Sequence, residues 1–124
     1  MNYLCRMLHI SNVEELKKDW DELLEMLCTS FDADLDLQGV IFLIGVQELG
    51  RGVQKFSKDE KQDLMHIATC RLLSFYGYYE LEGTDEDGWP HWKLVKELPK
   101  MSLGEQDYLL KNSVIEYFRD SGIF

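Results

Sequence analysis

The stretch Leu37-Gln38-Gly39-Val40-Ile41-Phe42-Leu43-Ile44-Gly45-Val46-Gln47-Glu48-Leu49-Gly50 decides the fold class. Read as a helix it makes the chain mainly α, and read as a buried strand it makes the chain α/β. Wound as a helix, it places Leu37, Val40, Ile41 and Ile44 on one face and Phe42, Leu43 and Val46 on another. An element with no polar face belongs in the middle of a domain. The β-branched residues and flanking glycines would also suit a buried strand, and periodicity alone does not separate the two. The apolar steps continue at helical spacing to Leu49, which favours a central helix. Gly45 inside it costs about 1 kcal/mol relative to Ala. Such a cost makes sense where another element crosses closely.

Outward from this stretch, the same start signal occurs three times. Ser11-Asn12-Val13-Glu14, Ser57-Lys58-Asp59-Glu60 and Ser102-Leu103-Gly104-Glu105 each have the Ser-x-x-Glu form of a capping box. There the Ser oxygen accepts a backbone N–H that the first turn leaves unpaired, and the Glu reaches back to the cap. Helical periodicity follows each match. The first helix is expected from about Asn12 to Cys28, burying Val13, Leu16, Trp20, Leu23, Leu24 and Leu27. A further helix is expected from about Lys58 to Phe75, with Leu64, Ile67, Ala68, the stem of Arg71, Leu72 and Phe75 inward. The last runs from about Leu103 to Arg119, with Leu110, Val114, Tyr117 and Phe118 inward and Glu105, Asn112, Glu116 and Arg119 outward.

Between the last two helices the texture changes. Tyr76-Gly77-Tyr78-Tyr79-Glu80-Leu81-Glu82 and Trp89-Pro90-His91-Trp92-Lys93-Leu94-Val95 are aromatic and β-branched, separated by Gly83-Thr84-Asp85-Glu86-Asp87-Gly88. This is the pattern of a β-hairpin with a polar, Gly-bounded loop. Pro90 donates nothing to a ladder, so its strand begins there or lies at an edge. A lone hairpin is marginal in water and needs its rings against the helices. The fold class is therefore mainly α with a hairpin at 76–95 (α+β): about four helices around a central apolar one, in a single globular domain over residues 1–124.

Composition limits the function classes. The chain has 124 residues, 13 Lys+Arg against 23 Asp+Glu, and a net charge of −10. That balance opposes nucleic acid, whose phosphates need clustered Lys and Arg, and opposes docking on an anionic membrane. A hydrophobic content of 45% excludes a disordered chain. Val40–Val46 is far shorter than the roughly 20 residues that span a bilayer. The first residues hold too short an apolar stretch for a secretory signal. The cysteines Cys5, Cys28 and Cys70 are odd in number and widely spaced, unlike a disulfide scaffold. The expected location is cytoplasmic.

Two candidate sites remain. Asp63, His66 and Cys70, spaced i, i+3 and i+7, share one helical stripe, and carboxylate, imidazole and thiolate are all zinc ligands. A metal site of that kind needs further ligands from another element. The ordinary alternative is a solvated polar face of Asp59, Asp63 and His66. Asp32, Asp34 and Asp36 match the opening of a calcium loop, but Leu37 and Leu43 occupy the positions that need Gly and a bidentate Glu. The winged DNA-binding alternative fails because the hairpin loop from Glu80 to Gly88 carries acids and no Lys or Arg.

The second candidate is the hairpin itself. Alternation turns only half of its rings toward the helices. Tyr78, Tyr79, Trp89, His91 and Trp92 are therefore the expected partner-binding residues, Tyr and Trp being typical interface anchors. No catalytic set assembles in the sequence, and no cofactor is implied. The expected function is a small acidic interaction protein that self-associates or binds a protein partner through this hairpin. The alternative is a small metal- or ligand-binding helical enzyme using the Asp/His/Cys stripe, with Glu48 joining Asp63 and His66 in a pocket.

Overall fold

The computed structural model describes residues 13–52 and 54–122. Among these, four helices and one hairpin follow in order: α1 (Val13–Phe31), α2 (Leu37–Leu49), α3 (Lys58–Ser74), β1 (Tyr79–Thr84), β2 (Pro90–Leu94) and α4 (Leu103–Asp120). The mainly α class with a hairpin is thus the observed one, and the decisive stretch from Leu37 is helical. No helix among the described residues is long and apolar enough to cross a membrane. The chain gathers into two compact units: residues up to Leu37 with those from Lys100 onward, and Gln38–Pro99.

In the first unit α1 and α4 pack on each other. α1 buries Leu16, Trp20, Leu23 and Leu27 of the expected stripe, leaves Leu24 half-buried, and runs about a turn beyond Cys28. Val13, expected inward, is instead 68% exposed in the first turn of the helix. Ser11 and Asn12, the cap expected there, lie outside the described residues, as do Cys5, Ile123 and Phe124. At the other end Asp32 takes a left-handed conformation and Ala33 N–H donates to the Cys28 carbonyl at 3.1 Å, closing the helix. On α4 the Ser102–Glu105 capping box forms as expected. Asn112, expected outward, is instead buried beside Ser113, whose hydroxyl bonds back to the Leu110 carbonyl at 2.8 Å. Arg119 reaches Asp19 at 2.9 Å, tying the end of α4 to α1.

The second unit holds α2, α3 and the hairpin, and its geometry turns on Gly45. A Cβ there would lie 2.8 Å from the Leu64 carbonyl carbon and closer still to its oxygen, so only glycine admits the crossing of α3. The expected close approach is present, and a propensity cost of about 1 kcal/mol is offset by the packing it permits. Phe42 and Phe56 meet edge to face at 6.2 Å. Glu48 pairs with Arg71 at 3.3 Å, linking the two helices. α3 opens on the Ser57–Glu60 capping box. It ends where Gly77, at φ +80°, lets Tyr78 N–H return to the Leu73 carbonyl at 3.3 Å. That turn aims β1 back along α3.

The two strands are antiparallel, pairing Tyr79 with Leu94 and Leu81 with Trp92, with a register shift between Leu81 and Gly83. Val95 N–H donates to the Tyr78 carbonyl at 2.9 Å, extending the ladder by one bond. Both strands contact α3, the support that the isolated hairpin lacked.

Candidate functional site

Where β2 faces α3, within the second unit, the chain encloses a cleft of about 430 Å³. Glu60, Asp63, His66 and Ile67 line it from α3, and Asp85, Trp89, Pro90, His91 and Trp92 from the hairpin. Helical spacing explains the first wall: positions 60, 63 and 67 recur every three or four residues and share one face. Two turns of α3 therefore present carboxylate, carboxylate, imidazole and aliphatic groups in sequence.

The opposite wall is shaped by Asp85. Its Oδ1 accepts the N–H groups of Asp87 and Trp89, both at 3.0 Å, while Oδ2 lies 3.0 Å from His91 Nε2. One carboxylate thus fixes the loop and orients a Trp and a His. The His91 bond, then those from Trp89 and Asp87, hold the Asp85 carboxyl below the ordinary carboxylate range. Glu60 is likewise held low, first by the Ser57 N–H and then by the Ser57 hydroxyl, with the positive charge of Arg51 adding to them.

Asp63 differs from both. It is exposed and has no hydrogen-bond or ion-pair partner among the described residues. Its carboxylate is the unengaged charge of the cleft. Trp92 supplies an unengaged donor: its indole Nε1 is buried and has no hydrogen-bond partner among the described residues. A buried N–H left unpaired costs roughly 1–3 kcal/mol. At the rim, the Arg51 guanidinium lies over the Trp89 ring, 5.9 Å from its centroid.

The structure brings together residues from both sequence candidates. Asp63 and His66 of the helical stripe share the cleft with Trp89, His91 and Trp92 of the hairpin. Cys70 does not join them. Its thiol is buried, 3.5 Å from His66 Nε2, and burial pushes its pKa up to about 11. Among the described residues no three His, Cys, Asp or Glu side chains converge as a metal-holding group. Glu48 is engaged by Arg71 and does not line the cleft. Tyr79 is half-buried, but Tyr78, expected at the partner-facing surface, is 1% exposed. It precedes the first strand, at the turn after α3, where strand alternation does not yet apply, and Lys96 lies over its ring at 5.1 Å.

Glu60 and Asp85 were absent from the sequence candidates. The capping box marks Glu60 only as a helix-start residue. An Asp two residues before a loop N–H is an Asx-turn signal that would have singled out Asp85. Among the described residues the lining contains acids, imidazoles and rings and no Ser, Thr, Cys or Lys. Carboxylates, π faces and an indole N–H are groups that can engage cations and hydrogen-bond acceptors. The chain matches no family model, no curated protein and no solved structure.

Proposed function

We infer that this chain is a non-enzymatic interaction protein that docks a protein partner on its aromatic hairpin, in the cleft that the hairpin forms with α3. The observation that carries this reading is the convergence of Trp89, His91 and Trp92 with Asp63 and His66 on one open cleft. Rings of this type supply large contact area at low entropic cost and dominate interface energies. Leu81 and Leu94 on the same hairpin are exposed apolar residues as well. A partner other than a second copy is favoured, because two chains of net charge −10 repel each other.

The test is affinity capture with the wild-type chain and a W89S/W92S chain side by side, each checked by circular dichroism for retained helix. H91A, at an exposed position, is the second variant. The reading expects a partner retained by wild type, reduced with H91A and lost with the double variant. It expects an unchanged solution mass for the protein alone. Equal recovery on all three folded chains overturns it.

A further inference from the structure

We propose that the cleft takes a lysine or arginine side chain from a basic segment of the partner. This rests on the docking reading above and specifies the chemistry of the occupant. Three observations converge on it. The lining carries the carboxylates of Glu60, Asp63 and Asp85. Those of Glu60 and Asp85 are spent on the helix cap and the hairpin loop, while that of Asp63 has no partner among the described residues. A cation entering the cleft therefore meets an uncompensated negative charge at Asp63.

The second observation is that the same region already holds a guanidinium. Arg51 lies over Trp89, and its charge lowers the Glu60 pKa. The chain's own arginine thus shows that the ring accepts a planar cation. It also competes for the Trp89 face with any cation from outside.

The third is the Trp92 indole N–H, buried in the cleft wall with no acceptor among the described residues. A peptide brings backbone carbonyls along with its basic side chain, whereas a bare inorganic cation brings none. A modest turn of the Trp92 ring toward such a carbonyl would relieve the unpaired donor. Peptide is thereby favoured over a free cation as the occupant.

The three tryptophans make the test site-specific, because Trp20 lies on α1 in the other unit. A ¹⁵N-labelled chain is titrated with a capped six-arginine peptide, with a six-glutamate peptide as control, and the indole N–H signals are followed. The proposal expects saturable shifts of the Trp89 and Trp92 signals, a still Trp20 signal, and no response to the glutamate peptide. D63N is expected to weaken binding about two- to fivefold, the scale of one exposed charge pair. D21N, the same charge loss on α1, is expected to leave it nearly unchanged. R51A is expected to tighten binding about two- to fivefold by freeing the Trp89 face.

Equal weakening by D63N and D21N, or shifts shared by all three indoles, overturns the proposal in favour of general attraction to an acidic surface. Weaker binding by R51A overturns it too, since Arg51 would then be a contact and not a competitor. If the Trp variants lose the captured partner but the arginine peptide does not bind, docking stands and the basic occupant falls. If capture survives those variants as well, both fall.

Discussion

The imidazole Nε2 of His91 lies 3.0 Å from Asp85 Oδ2, joining the first residues of β2 to the loop that precedes it. Because the same carboxylate accepts two loop N–H groups through Oδ1, one side chain sets both the loop and the hairpin wall of the cleft. The cleft's shape on that side is a consequence of a local turn.

Acid should therefore loosen the hairpin end before it loosens the helices. The Asp85 carboxyl is held below its ordinary value of 3.8, chiefly by the His91 bond. A lowered folded-state pKa contributes stability that is complete above the unfolded value and is lost as pH falls through the folded one. Amide exchange at Trp89 should accelerate below pH 3.8 while α3 remains protected. D85N, which keeps the Oδ1 acceptor, should retain the turn at neutral pH, and D85A should lose it. Identical exchange in D85A and wild type contradicts this account of the loop.

Two glycine substitutions should have opposite signs. G45A places a Cβ against the Leu64 backbone, where no flexible side chain can yield. Overpacking of this kind costs about 1–3 kcal/mol, more than the helix-propensity gain of about 1 kcal/mol at the severe end. G104A meets only Ser102 Oγ at 3.9 Å, an ordinary contact, in the first turn of α4. It should be neutral or stabilising by up to about 1 kcal/mol. Urea unfolding of both variants checks the pair, and a stabilised G45A would contradict the close crossing.

Cys70 should be chemically silent in the folded chain. Burial raises its thiol pKa from 9.0 to about 11, so almost no thiolate is present at neutral pH. Cys28, half-buried, should alkylate first under iodoacetamide, as peptide mass mapping can show. The raised value also carries a stability term. It is complete below pH 9.0 and declines as pH rises from there toward about 11, because the unfolded thiol ionises first. Rapid alkylation of native Cys70 near pH 8 would contradict the burial of its thiol.

Much of the fold was legible because local signals agreed with one another. The helical step through Leu49, the paired Ser and Glu of two capping boxes and the Gly-bounded aromatic runs each name an element and its ends. Gly45 foretold a close crossing, although nothing in the sequence identified Leu64 as the neighbour. Errors came where tertiary cover overrode periodicity. Val13 lies on the apolar stripe yet is 68% exposed, and Asn112 looks polar yet is buried.

The candidate site was legible only in halves. Asp63 and His66 lie more than twenty residues from Trp89 and His91, and no periodicity spans that separation. The turn at Gly77 brings them together by folding the hairpin onto α3. Arg51 carries no local sequence signal of its role, since its placement over Trp89 exists only in the folded unit. The unpaired Trp92 N–H is likewise invisible to residue type, because any exposed indole would bond water.

Site-specific photo-crosslinking tests the docking claim most directly. A benzophenone amino acid replaces His91, exposed on the cleft, and in a separate chain replaces Glu22, exposed on α1. The account predicts one dominant adduct from position 91, absent from position 22, with the crosslinked partner peptide rich in Lys or Arg. Adducts of the same identity and yield from both positions would contradict a partner docked in the cleft.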